Sequence, residues 1–352
     1  MDWFERITGF KEDGYEATRA RLSVVDGRLT SRSSTRTCAV GQLETPSLAE
    51  LRQRVAGLLS GHGPTRVSCV QGDVRRMHAD HGNAGALFQV ASQSNLLEMV
   101  SDAVTPEQGV TRYERDATQG PACAIAAGAG TIYRNYFAPV NDQSGQREDR
   151  QIDCLSDIAT ALGNDEGRLW QMRNGYCMTT DEGLASIDHQ LSSMGPEQLD
   201  ELRGRLRIGM HWDVEVTDEG AGHLVSQAFC SALPVSYNRI RKAEHWAQFA
   251  TLVLEATYEA PLLSAMLNVK LHGKPLVYLT RVGGGAFGND AGWIVAAIRR
   301  ALCRTQRYGL DVRIVSYSRP ANDILELAEE FSSVAKLDPT SAGSITRGAV
   351  SS

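Results

Sequence analysis

The sequence predicts an α/β protein in which a mixed β-sheet is sandwiched between helices. Three observations carry that expectation. From Thr65 onward, apolar runs of strand length alternate with helical stretches, the pattern of a sheet covered on both faces. At 352 residues and 42% hydrophobic content, the chain can bury a large core. A glycine cluster, "GGGAFGND", lies between an apolar run and an amphipathic helix, where backbone amides come close to a ligand just ahead of a helix N-terminus.

Taken in order, residues 1–64 read as an N-terminal elaboration packed on the core. They hold the β-like runs "ARLSVVDG" and "TCAVGQ" and the helical stretch "SLAELRQRVAGLLSG". Ser47 is placed to cap that helix, with Glu50 three residues on as its capping-box partner. The main domain spans residues 65–320. It opens with the strand "RVSCVQGDV", ending at Gly72-Asp73, followed by a polar loop carrying His78 and His81 and a second strand, "GALFQVASQ". After a polar turn, Pro121 stands at the N1 position of a helix rich in small residues. Residues from about 141 to 205 form a polar, helix-rich insertion. The strands "LRIGMHWDVEV" and "VSQAFCSALPV", a helix from Ala243, the strand "PLVYLT", a helix from Asp290 and the strand "LDVRIVSY" complete the pattern. Residues 335–352 are rich in Ser, Ala, Gly and Thr and are expected to be a disordered tail.

Composition narrows the partners. A net charge of −6 and a pI near 5.8 argue against a broad nucleic-acid surface and suit a nucleotide-sized ligand. The seven cysteines are scattered without a C-x-x-C pair, which predicts reduced, mostly buried thiols. The start, "MDWFERITGFKEDG", lacks the basic and then apolar character of a secretory signal, and no apolar run is of membrane-spanning length. A cytoplasmic location is expected, with export as an effector still compatible. No membrane partner is expected, and neither is a cofactor. His78 and His81 have H-x-x-H spacing but no further ligand at metal-like spacing, so a solvated loop is predicted and no metal site.

Gly283, Gly285 and Gly288 satisfy G-x-G-x-x-G. A dinucleotide-binding turn of that kind opens a domain and needs further βα units, whereas only one helix and one strand follow before the tail. No Gly-Lys-Ser/Thr follows either, so the cluster is not a P-loop. A phosphate-bearing ligand remains the leading reading of the loop. Asp73 reads either as half of a turn-forming Gly-Asp pair or as a carboxylate accepting from a ligand amine. Gln119 and Gly120 stand where backbone N–H groups can meet a phosphate. In "MHWDVEVTDEG", strand alternation puts His211, Asp213 and Glu215 on one face. A solvent-facing edge strand has that pattern, and so do carboxylates serving glycosidic chemistry, where a carboxylate activates water and stabilises an oxocarbenium-like transition state.

Taken together, "VQGDV", "LFQVASQSNLLEM", "SALPV" and "VYLTRVGGGAFGNDAGWIVAAIRRAL" with "LDVRIVSY" resemble the macrodomain, an ADP-ribose-binding α/β/α fold, over about residues 65–318. "SQSNLLEM", "TQGPACA", "QAFCSALPV" and "GGGAFGN" are most similar to the MavL-type macrodomains, a branch close to the poly(ADP-ribose) glycohydrolases. The resemblance implies an ADP-ribosyl hydrolase whose partners are ADP-ribose and an ADP-ribosylated protein, ubiquitin among the acceptors. It implies that Asp73, with Val74, holds the adenine amino group and that Gly283, Gly284, Gly285, Ala286, Phe287, Gly288 and Asn289 lie over the diphosphate. Gln93 and Asn95 would approach the distal ribose. For the catalytic carboxylate it directs attention to Asp213, Glu215 and Asp218, with Glu98 as the candidate from the opposite loop. Where common macrodomains have Asn-Ala-Ala-Asn, this chain has Gln89-Val90-Ala91-Ser92, and no Gln-Glu-Glu follows its Gly-Gly-Gly. The other readings are a non-catalytic ADP-ribose reader and a nucleotide enzyme such as an oxidoreductase.

Overall fold

The apolar runs after Thr65 pair into one sheet in the computed structural model, which describes residues 1–58, 63–238 and 243–337. Seven strands form it: β1 (Gln42–Glu44), β2 (Arg66–Gln71), β3 (Leu87–Ala91), β4 (Gly209–Glu215), β5 (Leu224–Cys230), β6 (Leu276–Leu279) and β7 (Asp311–Ser316). Their spatial order is β1-β4-β5-β3-β6-β7-β2. The five strands from β5 to β2 run parallel, while β4 and β1 are antiparallel at one end. Alternation along the strands sorts their side chains. Leu87, Val277, Leu279 and Ile314 enter one core, and Phe88, Val90, Tyr278 and Val315 enter the other. The first face is covered by α5 (Ala247–His272), α6 (Ala291–Thr305) and α7 (Asn322–Leu337). The second is covered by α2 (Val74–Ala79), α3 (Gln119–Ala126) and α4 (Gly128–Tyr136). The mixed sheet between two helical layers is the α/β class expected.

The segment before Thr65 contributes to the sheet itself through β1, which pairs with β4, and through α1 (Leu48–Val55), capped by Ser47 with the full Glu50 capping box. A separate three-stranded sheet (Leu22–Val25, Arg28–Ser31, Ser34–Ala39) and the helix Trp3–Thr8 pack beside it. The insertion has helices at Ser156–Leu162, Asp181–Ser193 and Pro196–Gly204, and also a hairpin, Trp170–Arg173 with Tyr176–Thr179. Three local expectations are corrected. The stretch after Asp73 is helix α2 rather than a solvated loop, and His78 is wholly buried in it, stacked on Phe88 with ring centroids 3.7 Å apart. Helix α3 begins at Gln119 behind Thr118, two residues before Pro121. The tail assigned from residue 335 is helical as far as Leu337, and its remainder lies outside the described residues. No described helix is long and apolar enough to cross a membrane, and no group of three potential metal ligands occurs among the described residues.

Candidate active site

Strand β3 pairs with β5 along its whole length, from Leu87 to Ala91, but with β6 only at Leu87 and Phe88. The sheet therefore splits beyond Phe88, at the carboxyl ends of its parallel strands, where ligands bind in open α/β sheets. Glutamine side chains take the place of the missing ladder. The amide of Ala91 donates to Gln119 Oε1 (2.9 Å), Gln119 Nε2 donates to the Gln89 carbonyl (2.9 Å), and the amide of Thr280 donates to Gln89 Oε1 (3.1 Å). Gln119 thus acts through its side chain and is a wall of the split.

Two adjoining cavities, ≈ 230 and ≈ 490 Å³, open there and share Asp116, Thr118, Gln119 and Thr280. Together they make one elongated cleft of the size that a nucleotide-diphosphate sugar requires. Asp73 and Val74 line one end with Val315 and Tyr317. Asp73 is also the N-cap of α2, its Oδ1 accepting from the Arg75 amide at 2.9 Å. The turn role and the cleft position therefore coincide in one residue.

The glycine loop lines the cavity beyond the shared residues. Residues 283 and 288 have φ of 80° and 68°, the left-handed region that glycine enters freely. Asn289 closes the loop, its amide donating to the Gly283 carbonyl (2.9 Å) and its Nδ2 to that of Leu233 (2.8 Å). The amides of Gly284 and Gly288 turn inward onto Arg281 and Gly285. Those of Gly285, Ala286 and Phe287 have no acceptor among the described residues, and all three residues line the cleft. Consecutive N–H groups without acceptors are the kind of feature that can meet an anion. Gly283, Gly285, Ala286 and Phe287 line the cleft, whereas Gly284, Gly288 and Asn289 do not.

At the other end sits Glu98. The residue is among those lining the cleft although it is only 3% exposed, and its Oε1 is buried without a hydrogen-bond partner among the described residues. Burial pushes this carboxyl well above the usual carboxylate range, opposed by Arg134 and reinforced by Asp116. The loop holding it is over-determined. Gln93 clasps both backbone groups of Met99, donating from Nε2 (3.2 Å) and accepting at Oε1 (2.8 Å). Asn95 accepts from the Leu97 amide, the Glu98 amide donates to the Tyr113 hydroxyl, and the buried Arg134 donates to the Leu96 carbonyl. Gly120 packs so closely that a Cβ would strike Ala91 and the Glu98 carboxyl. Asp116 faces the same space, with Oδ1 accepting from the Thr118 amide at 2.9 Å. Tyr176 of the inserted hairpin donates to the Met99 carbonyl (2.8 Å) and, with Tyr237 and Phe287, walls this end with aromatic rings.

Gln93 lines the cleft but commits its amide to Met99. Several other expected site residues lie elsewhere: Asn95 does not line the cleft, accepting from the Leu97 amide and donating from Nδ2 to Gln151 Oε1. Strand β4 is interior rather than an edge, lying between β1 and β5 on the far side of the sheet. Its alternation breaks at a register shift between His211 and Val214, with Asp213 at φ 54°, so the polar stripe never forms. His211 is buried against Arg134, while Asp213 pairs with His272 at the end of α5 (3.0 Å). Glu215 accepts from the Ala39 amide (2.7 Å) and Asp218 pairs with Arg75 (2.8 Å). None of these three carboxylates lines the cleft. Sequence reasoning missed Asp116 and Tyr176. The signal for Asp116 was an acid just ahead of the α3 start. For Tyr176 there was none, because only tertiary packing brings the insertion over the cleft.

No protein-family model matches the chain, and no curated protein matches it. Solved structures with a similar fold are poly(ADP-ribose) glycohydrolases. That from Thermomonospora curvata bound to the inhibitor ADP-HPD is 11% identical, covering 91% of this chain and 95% of its own at a TM-score of 0.43. That from Deinococcus radiodurans in complex with ADP-ribose is 11% identical, covering 92% and 100% at 0.42. Its apo form is 12% identical, covering 93% and 99% at 0.41.

Proposed function

We propose that this chain is a macrodomain-type ADP-ribosyl hydrolase that releases ADP-ribose from a modified protein. The observation that carries the reading is the buried Glu98 carboxyl, one oxygen without a partner, in the same cavity as a row of unpaired amides. The arrangement has a place for each part of ADP-ribose: Asp73 for the amino group of the base, the amides of residues 285–287 for the diphosphate, and the Glu98 end for the distal ribose. The resemblance of "SQSNLLEM", "TQGPACA" and "GGGAFGN" to MavL-type macrodomains supports the same ligand. It also makes ADP-ribosylated ubiquitin the first substrate to test.

Glu98 and Asp116 divide the chemistry. A carboxyl held protonated by burial can give its proton to the departing acceptor atom as the bond from the anomeric carbon breaks. The Asp116 carboxylate offsets the positive charge that develops on the sugar. Water then bonds to the anomeric carbon and yields a proton to the Glu98 carboxylate, restoring the acid. Products are ADP-ribose and the unmodified acceptor.

The test is calorimetric titration with ADP-ribose, followed by release assays on ADP-ribosylated proteins carrying different linkages. Wild-type turnover is expected, and Asp116→Asn is expected to lower it by about 10² while leaving ADP-ribose affinity within a few-fold. Binding without turnover on any linkage would make the protein a reader. Absence of binding at millimolar ligand would remove the reading altogether.

A further inference from the structure

The row of free amides supplies partial charge only, and acidic groups lie along the cleft: Asp116 where the two cavities join, and Asp73 and Glu114 at the far end. A diphosphate placed among them needs a full positive charge. Among the described residues, two arginines line the joined cleft. Arg75 is committed to Asp218 through contacts of 2.8 Å. Arg281 stands at the first turn of the glycine loop, where its carbonyl accepts from the Gly284 amide at 3.1 Å. Among the described residues its single ionic contact is a loose one, Nη2 to Asp323 Oδ2 at 3.5 Å, and its buried Nε has no partner. A guanidinium with an unsatisfied inner N–H, beside three free amides, is poised for a bidentate oxyanion.

We infer that Arg281 is the diphosphate clamp of the cleft, releasing its loose hold on Asp323 to take a non-bridging phosphate oxygen opposite the amides of residues 285–287. The inference deepens the ADP-ribose reading and rests on it for the ligand's identity, although the anion preference belongs to the loop itself. It makes this cleft selective for diphosphate-bridged nucleotides over nucleosides and monophosphates. An ordinary surface ion pair tying α7 to the loop is the competing account, and Asp323 distinguishes the two.

The experiment measures binding of ADP-ribose, adenosine and inorganic pyrophosphate to the full chain as wild type, Arg281→Gln and Asp323→Asn, with melting temperatures for all three. If Arg281 clamps the diphosphate, Arg281→Gln weakens ADP-ribose and pyrophosphate about tenfold to a hundredfold, the scale of one charge-assisted contact, and leaves adenosine unchanged. Asp323→Asn, which frees the guanidinium, keeps or raises affinity for both anions. Equal anion affinity in wild type and Arg281→Gln overturns the clamp while leaving the ADP-ribose reading intact. Equal losses of stability in both variants, with no change in binding, establish the ion-pair account instead. Pyrophosphate that binds wild type and is lost in Arg281→Gln upholds the clamp even if ADP-ribose proves not to be the ligand. Failure of wild type to bind either anion overturns it.

Discussion

A single glutamate concentrates the conflict between stability and chemistry in this molecule. In the unfolded chain, Glu98 ionises at ordinary carboxylate pH. In the fold, burial holds its proton to well above that range. Its contribution to stability is therefore fully present below the unfolded pKa and is lost as pH rises toward the folded one. Glu98→Gln keeps the shape and removes the titration. It is expected to abolish turnover, by about 10² or more, with ADP-ribose affinity within a few-fold. The same variant should melt about 1–3 °C higher at neutral pH, with the gain vanishing toward pH ~4. Melting curves across that range check it, and a variant less stable at neutral pH would show the carboxyl to be satisfied by its surroundings. His78 has the opposite sense. Burial lowers its pKa to about 4, so the stability it contributes at neutral pH is lost on acidification through that value.

Elements decide which glycines matter for folding and which for binding. A Cβ at Gly285 meets nothing within 4 Å and points into open cleft, whereas one at Gly288, where φ is 68°, collides with Ser236. Gly285→Val should therefore fold with nearly unchanged melting temperature and lose anion binding. Gly288→Val should unfold several degrees earlier, because strain and overlap are both imposed. Parallel melts and titrations of the two variants check this. The strands and helices around the loop were legible in the sequence because each carries its own signal. Ser47 with Glu50 marks the start of α1, Asp290 that of α6, and the apolar runs mark β2, β3, β5, β6 and β7. Strand β4 was legible as a strand and misleading as a face, because an irregularity that inserts one residue reverses every side chain beyond it. The glycine loop stood out because left-handed backbone at residues 283 and 288 favours glycine, and Asp73 because a helix N-cap calls for a side-chain acceptor. Glu98 was merely one acid among several, since its burial depends on Arg134, Tyr113 and Gly120, all distant from its own motif.

Across the whole molecule, a buried ionic knot joins parts that are far apart in the chain. Glu259 of α5, its side chain 1% exposed, accepts from Arg52 of α1 at 2.6 Å and from Arg300 of α6 at 2.6 Å, with Arg304 at 3.2 Å. Asp200 of the insertion helix Pro196–Gly204 shares Arg52 and Arg300. Burial alone raises a carboxyl pKa, but Arg52 and Arg300 outweigh it and hold Glu259 below its usual range. The knot stabilises the fold above that range and is lost as pH falls through the folded pKa. Glu259→Gln should cost on the order of 2–3 kcal/mol at neutral pH, less than a fully buried pair because the arginines keep some water. Chemical denaturation at pH 7 and at pH ~4 checks it, the gap to wild type narrowing in acid.

The sheet order sets a timetable for the newborn chain. Strand β2, which delivers Asp73 to the cleft, has one ladder neighbour, β7, with Arg66 beside Asp311 and Gln71 beside Ser316. A ribosome releases the first of these strands long before it makes the second. Until then, the Asp73 end of the cleft has no fixed wall, whatever the glycine loop has done. On the proposed reading, a chain cut before Asp311 is expected to lose ADP-ribose binding even with its glycine loop intact.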